Sequence, residues 1–186
     1  MKKLAPLALI ALMAAAQPVL AAPPPAPKIV VLDRAALLQF SKVGQDIAKQ
    51  LQSMGNQARA SVEAQQKALS AEGAQLRQQT AILSNELRKQ KEDAFNAKVQ
   101  NIQVGAERRQ VQLQQAAASS QQAVAKALQP IVDEIVKTRG ANLVVDKNAV
   151  IFASNNAFDI TAEAIAKLDA RMPTYKVVLG QQPAKQ

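Results

Sequence analysis

The feature that most constrains this chain is a 95-residue run, 45–139, composed almost entirely of residues that favour helices. Residues 45–122 alone contain 18 glutamines in 78 positions, with abundant Ala, Lys, Arg and Glu. Apolar residues recur at helical spacing, and some fall seven apart, such as Val62, Leu69, Leu76 and Leu83. This repeat predicts a narrow apolar seam of the kind found in coiled coils.

A hairpin explains this run better than one helix, which would be about 140 Å long at 1.5 Å per residue. The best break is the stretch QTAILSNE at 79–86, where Ser84 and Asn85 form a capping pair just before Glu86. We therefore predict a helical-hairpin arm over residues 45–129, with its tip at about 80–86. Pro130 lacks an amide hydrogen and clashes with the preceding turn, which predicts a helix kink there.

The segments on either side of the arm have the composition of strands rather than of helices. KIVVLD at 28–33 predicts a strand, and NLVVDKNAVIFAS at 142–154 predicts a strand, a tight turn and a second strand. The apolar runs of this second stretch are continuous, which predicts a sheet that is covered on both faces. Asp159 is a candidate cap for a short helix that ends before Pro173, and 175–179 predicts a final strand or an extended tail.

Both ends of the chain therefore build one small, β-rich body from residues 28–44 and 130–179. The predicted fold is α+β but mostly α: a long antiparallel helical hairpin that projects from this body. A core of this size is marginal for a sheet that needs cover on both faces, so we predict that subunits associate through it. The residues predicted to form the subunit contact are Ile29, Val31, Leu143, Val145 and Ile151.

The two termini are predicted to lie outside the fold. Lys2 and Lys3 precede the apolar run 4–16, the layout of a secretory signal peptide (1–21) that is cleaved near Ala21. A membrane anchor is the alternative, but the apolar run is too short to span about 30 Å of hydrocarbon. A proline-rich segment follows at 22–27, and 180–186 is predicted to be a disordered tail. An exported, soluble mature protein is the resulting expectation.

The composition disfavours catalysis. The chain has no His and no Cys, which removes the usual proton shuttle, the commonest metal ligand and the Ser-His or Cys-His nucleophile arrangements. Asp33 and Asp146 are the only candidate catalytic carboxylates, and at strand ends such residues are usually turn or cap residues. We therefore expect no enzyme activity, no cofactor and no metal.

The charge and the arm surface point to protein partners. The net charge is +9, and two of these charges lie in the predicted signal peptide. Aromatic residues make up only 3%, which disfavours a single-strand nucleic-acid reader that stacks bases. Isolated apolar side chains among basic ones suit weak, multivalent contact with non-native chains. The arm residues predicted to face such clients are Leu69, Leu76, Leu83, Phe95, Arg88, Lys91, Arg108 and Arg109; alternatively, they are ordinary seam and solvated-face residues.

Several stretches resemble the Skp (OmpH) family of periplasmic chaperones: KIVVLD, LQPIVDEI, and above all NLVVDKNAVIFASNNAFDITAEAIAKLD. The resemblance covers nearly all of residues 28–170. It implies a jellyfish-like homotrimer with a β-rich body and three helical tentacles. It also implies an ATP-independent holdase whose central cavity binds unfolded outer-membrane β-barrel proteins, without catalytic residues. A basic lipopolysaccharide-binding cluster proposed for one branch of the family has no matching set here.

Two other classes of function remain open. A structural or adaptor hairpin of the cell envelope would need a more regular seam and a dedicated tip, whereas Ala and Gln dilute this one. A basic binder of nucleic acid or of an anionic surface would lose affinity steeply with salt. Besides unfolded clients and other copies of itself, we expect the outer-membrane protein assembly machinery and anionic membrane surfaces as partners, and no nucleic acid.

Overall fold

The computed structural model describes residues 26–80, 82–153 and 155–180. The chain is mostly helical, with one small sheet of two strands. The elements in chain order are β1 (Ile29–Leu32), α1 (Arg34–Phe40), α2 (Lys42–Thr80), α3 (Asn85–Arg139), β2 (Leu143–Asp146) and α4 (Thr161–Arg171). Two short 3-10 turns, Lys147–Ala149 and Asn156–Phe158, lie between β2 and α4. The predicted signal peptide, residues 22–25 of the proline-rich segment and residues 181–186 fall outside the described residues.

The arm is formed by α2 and α3, which have 39 and 55 residues and pack along one another. At 1.5 Å per residue these helices are about 58 and 82 Å long. Residues 81–84 join the two helices, and this junction lies within the range of about 80–86 predicted for the tip. Ser84 is the N-cap of α3, its hydroxyl accepting from the Leu87 amide at 3.4 Å, and Glu86 lies in the first turn.

Helix α3 changes character as it enters the body. Its last turns bury a wide apolar face, whereas the distal arm buries little. Pro130 lies inside α3, and the helix continues past it to Arg139. Gly140 then ends the helix with a left-handed backbone (φ +61), a conformation that glycine adopts without steric cost. The buried residues of this face are Val124, Leu128, Ile131 and Ile135.

The sheet joins the two ends of the chain. β1 and β2 are parallel, with Ile29 opposite Leu143 and Leu32 opposite Asp146. Val30 and Leu32 face inward and belong to the core formed with α3 and α4. On the other side of β1, the Ile160 amide donates to the Val31 carbonyl at 2.9 Å, which ties the start of α4 to the strand.

The predicted hairpin at 142–154 is wrong. β2 pairs with β1, residues Lys147–Ala149 form a 3-10 turn, and 150–153 have no strand. The Asp146 carboxylate accepts from the Asn148 amide at 3.0 Å, which turns the chain away from β2 before a second strand can pair with it. With two strands of four residues each, the body is less β-rich than predicted.

Two helix starts also differ from the prediction. α2 begins at Lys42 rather than near residue 45, because the Asp169 carboxylate of α4 accepts from the Lys42 amide at 2.7 Å. Asp159 is not the N-cap of α4, a position that Ile160 takes. Its carboxylate nevertheless accepts from the Thr161 amide at 2.8 Å, so Asp159 stabilises the same helix end from one residue further out.

Residues 173–179 form an extended segment, which we call the C-terminal strap. It is not a sheet strand and lies against the root of α2. Val177 is only 3% exposed and belongs to the core, and Tyr175 and Leu179 pack against that core. The strap thus adds cover to the arm root from beyond α4.

Gly44 provides a test of the packing between α1 and α2. A β-carbon there would lie 1.8 Å from the Leu38 carbonyl oxygen, so α1 would have to move. We expect Gly44→Ala to lower the free energy of unfolding by about 3 kcal/mol. Chemical denaturation followed by circular dichroism measures this loss.

Gly55→Ala is the matched control for Gly44→Ala. Gly55 also lies in α2, but the nearest atom to a β-carbon there belongs to the Arg59 side chain, 3.9 Å away. Because alanine favours helix over glycine, this variant should be as stable as the wild type or up to about 1 kcal/mol more stable. Equal loss of stability in the two variants would contradict the close approach at Gly44.

Candidate functional site

The outward side of the small sheet is apolar and only partly covered. Side chains alternate along a strand, and paired residues of parallel strands point to the same side, so Ile29, Val31, Leu143 and Val145 share one face. We call these four residues the outer sheet face. Val31 is buried, but Ile29 is 38% exposed and Leu143 is 47% exposed. The face opposite the core is therefore hydrophobic and in contact with solvent.

A loop rich in apolar residues lies beside this face. We call residues 150–153 and 155–158 the apolar loop. Together with three residues of the outer sheet face, this loop lines an open cavity of about 400 Å³; the lining residues are Ile29, Val31, Val145, Val150, Phe152, Ala153 and Phe158. Phe152 is 83% exposed, and its neighbour Ile151 is fully exposed. A contiguous apolar patch of this kind is typical of a surface that binds another protein.

The backbone at this surface is also available for pairing. Among the described residues, β2 pairs only with β1, so the other edge of β2 has no strand beside it. An open strand edge next to exposed apolar side chains is a template for a further strand from another chain. Edge and patch together make this the strongest candidate site in the body.

Charged pairs hold the ends of the apolar loop. The Arg34 Nε donates to Asp146 at 2.6 Å, and the Lys147 ammonium donates to Asp159 at 2.9 Å. The Asn148 amide, followed by Arg34, lowers the pKa of Asp146 below its ordinary value. Partial burial acts to raise the pKa of Asp159, but hydrogen bonds from Thr161 and Lys147 outweigh it, so that pKa is also lowered. Hydrogen bonding to Asp159 raises the pKa of Lys147.

A second charged cluster joins α3 to α4. Lys167 Nζ donates to Glu134 at 2.6 Å, and Arg171 also donates to that carboxylate. The hydrogen bond from Lys167, then that from Arg171, lowers the pKa of Glu134. Arg139 and Glu163 form a further pair at 2.7 Å between the same two helices.

The candidate catalytic carboxylates act as structural caps. Asp33 is the N-cap of α1 and accepts from the Ala36 amide at 2.8 Å, whereas Asp146 accepts from Asn148 and Arg34. Within the described part of the chain, no group of three or more His, Cys, Asp or Glu could hold a metal ion. The geometry of these two residues favours a structural role.

The structure gathers the five residues predicted for subunit contact. Four form the outer sheet face, and Ile151 lies on the adjacent apolar loop. The predicted client-facing residues are instead spread along the arm. Of these, Leu69, Leu76, Leu83, Phe95 and Arg88 are half-buried, whereas Lys91, Arg108 and Arg109 are exposed. The client role of these arm residues remains a prediction.

Three residues of this surface are absent from the set predicted from the sequence. Val150, Phe152 and Phe158 line the same cavity as Ile29 and Val145, but they were not among the predicted contact residues. A signal was present, since two of the four phenylalanines of this aromatic-poor chain lie within seven residues.

In the arm, Phe95 packs against Gly73. A β-carbon at Gly73 would come within 3.1 Å of the Phe95 ring, so glycine leaves space for that ring.

The fold defines a class of protein in which a small body carries a long helical hairpin and an uncovered apolar sheet face. None of the described helices combines the length and apolar character that crossing a membrane requires. The family model for "Outer membrane protein (OmpH-like)" matches residues 28–168, so the chain belongs to the OmpH-like family. This confirms the family named from the sequence. It is a chaperone family rather than an enzyme family, which suggests a periplasmic chaperone.

A solved structure shares the fold. A crystal structure of a candidate outer membrane chaperone (OmpH-like) from Caulobacter crescentus superposes with a TM-score of 0.78 at 21% sequence identity. The similarity covers 88% of this chain and 96% of the other. No curated protein sequence matches this chain.

The lowered carboxylate pKa values predict that the body weakens in acid. A carboxylate whose pKa is lower in the folded chain stabilises the fold fully above its ordinary pKa, which is 4.5 for Glu134. This stabilisation is lost as the pH falls through that value towards the lower pKa of the folded chain. We expect the free energy of unfolding to fall between about pH 6 and pH 3, and to fall less in Glu134→Gln. Urea titrations at several pH values measure this slope.

Glu107→Gln, at an exposed glutamate of the arm, is the matched control. It removes the same charge without touching α4 and should retain the wild-type pH dependence. If Glu134→Gln retained that dependence as well, the cluster of Glu134, Lys167 and Arg171 would not be a source of acid sensitivity.

Proposed function

We propose that this protein is an ATP-independent periplasmic holdase. It binds unfolded outer-membrane β-barrel proteins in a cavity between helical arms and prevents their aggregation. Membership in the OmpH-like family supports the class. The observation that carries the proposal is the uncovered outer sheet face, with its exposed apolar loop, at the root of a single long arm. One arm encloses nothing, whereas several arms projecting from a shared body enclose a space.

The proposed assembly is a jellyfish-like homotrimer joined through the outer sheet face. In a ring of three copies, one surface of each subunit meets a different surface of the next. The open edge of β2 and the apolar run 150–153 are suitable as these two surfaces, because the run has strand composition but no strand partner within the described chain. Burial of Ile151 and Phe152 would then supply much of the association free energy.

Clients would be held by the arms through weak, distributed contacts. The arm offers half-buried Leu69, Leu76 and Phe95 beside exposed Lys91 and Arg109. Contacts of this kind are individually weak, but several arms acting on one chain raise its effective concentration and hold it. The basic net charge attracts acidic unfolded segments and raises their rate of encounter. None of these steps uses a nucleotide.

The location and further partners follow from the same proposal. Export by the predicted signal peptide, cleaved near Ala21, would bring the chain to the periplasm. There, the assembly machinery of outer-membrane proteins would receive its clients, and anionic membrane surfaces would attract its basic arms. An adaptor hairpin of the envelope remains the alternative, and it would bind one folded partner rather than unfolded chains.

Ile151→Asp tests the assembly. Ile151 is fully exposed, so a charge there leaves the fold of one chain intact but blocks burial in a subunit contact. In sedimentation analysis at micromolar concentration, we expect the wild type to be a trimer and this variant to be mainly monomeric. Val145→Asp, on the outer sheet face itself, should also break assembly.

Val104→Asp is the matched control. Like Ile151, Val104 is an exposed β-branched apolar residue, but it lies in the arm. It should sediment like the wild type. A monomeric wild type, or an Ile151→Asp variant that remains a trimer, would contradict the proposed assembly through this surface.

An aggregation assay tests the holding function directly. A urea-unfolded outer-membrane β-barrel protein is diluted into buffer, and light scattering is recorded with and without the purified mature protein. We expect suppression near one trimer per client without added nucleotide, and a part of it that persists at high salt. Monomeric Ile151→Asp should suppress much less, and Val104→Asp should act like the wild type.

No suppression by a trimeric wild type would refute the holdase. Suppression that disappears completely at high salt would point to a purely electrostatic binder. Tight, stoichiometric binding of one folded envelope protein without any effect on unfolded chains would favour the adaptor.

A further inference from the structure

The C-terminal strap binds to the arm as an extended peptide would. Its side chains alternate strictly: Tyr175, Val177 and Leu179 are partly or fully buried, whereas Lys176 and Val178 are exposed. This period of two belongs to a strand with one covered face. However, no strand lies beside the strap in the described chain, and its covered face rests on a helical hairpin.

The arm root binds the backbone of the strap as well as its apolar side chains. The Gln50 side-chain amide donates to the Tyr175 carbonyl at 2.7 Å and accepts from the Val177 amide at 3.0 Å. One turn earlier in α2, Asp46 accepts from the Tyr175 amide at 3.2 Å. Gln50 thus satisfies a donor and an acceptor as a neighbouring strand would, and such contacts accept any sequence.

Beside the strap, the groove between α2 and α3 contains a cavity. Leu179 lies at one wall of a cavity of about 330 Å³, whose other walls combine Met54, Ala58, Val62, Gly105 and Ala106 with the polar residues Gln57, Ser61, Gln65 and Arg109. A β-carbon at Gly105 would meet no atom within 4 Å, so this wall is set back from its neighbours. The cavity has room for a large apolar side chain.

We infer that this groove is a binding site for extended polypeptide with apolar residues at every second position, and that the strap occupies it in cis. Backbone pairing with pockets for alternate side chains is a known mode of peptide recognition. The same alternation of apolar and polar residues marks the strands of membrane β-barrels. The site rests on the proposed function, since it gives the unfolded clients a defined place to bind at the arm root.

The strap then acts as a competitor for client segments. A groove occupied by its own strap for about nine-tenths of the time binds an added peptide about tenfold more weakly than an empty one. Clients with many matching segments overcome this competition through multivalency, whereas a short isolated peptide does not. The groove is thereby protected from short apolar peptides.

Peptide binding to the full mature chain tests the inference. The probe is a fluorescein-labelled peptide of residues 173–180, PTYKVVLG, and its binding is followed by fluorescence anisotropy. Leu179→Ser weakens the strap's own hold on the groove and should lower the Kd of the probe about threefold to tenfold. Val178→Ser changes the neighbouring exposed residue and should leave the Kd within about twofold of the wild type.

Gly105→Leu tests the cavity from the other side. The added side chain should fill the cavity and raise the Kd of the probe at least about tenfold, without unfolding the arm, because leucine favours helix over glycine. Gly105→Ala is the matched control, since it restores helix propensity but leaves most of the cavity open. A probe of the same composition, with its apolar residues no longer alternating, should bind at least about tenfold more weakly than PTYKVVLG.

The inference is overturned if no variant binds the probe, or if the permuted probe binds as tightly as PTYKVVLG. Equal Kd values for Leu179→Ser and Val178→Ser would also overturn it. So would equal Kd values for Gly105→Leu and Gly105→Ala. The aggregation assay, run on the same wild-type sample, separates this outcome from the proposed function. Suppression without peptide binding leaves the holdase intact and refutes the groove. Peptide binding with the expected variant pattern, but without suppression, establishes the groove and refutes the holdase.

Discussion

The structure depends on the pairing of its two distant strands. The Lys28 amide donates to the Asn142 side chain across 114 positions, and β1 and β2 then run in parallel for four residues. This closure is compatible with folding because the intervening chain is a helical hairpin that returns to its starting point. Without β1 and α4, the apolar face of α3 around Ile131 and Ile135 would be exposed, and the arm would have no fixed root.

The same closure leaves the two faces of the sheet unequally covered. Within the described residues, the inner face packs on α3 and α4, whereas the outer sheet face has the apolar loop beside it and is partly exposed. Charged pairs at Asp146 and Asp159 lie at the two ends of that loop, and Ile151 and Phe152 within it are exposed. A chain that fixes apolar residues in solvent in this way is suited to association. At the arm root, Gln50 holds the backbone of the C-terminal strap.

Local signals in the sequence predicted what local physics controls. The seven-residue spacing around Leu69 and Leu76 and the cap at Ser84 each act within one or two helical turns, and both appear in the structure. Errors arose where the partner is distant in sequence. The run after β2 does not form the predicted hairpin strand, because β2 pairs with β1. Helix α2 begins earlier than predicted because Asp169 of α4 caps it.

The sequence by itself thus determined the helical arm, its tip, the apolar character of the five residues predicted for subunit contact, and the family to which the chain belongs. Only the tertiary structure decided which strand pairs with which, which face of the sheet stays uncovered, and where residues 173–179 lie. The reason is physical. Helix propensity and capping are set by near neighbours, whereas strand pairing and burial depend on groups brought together only when the chain closes.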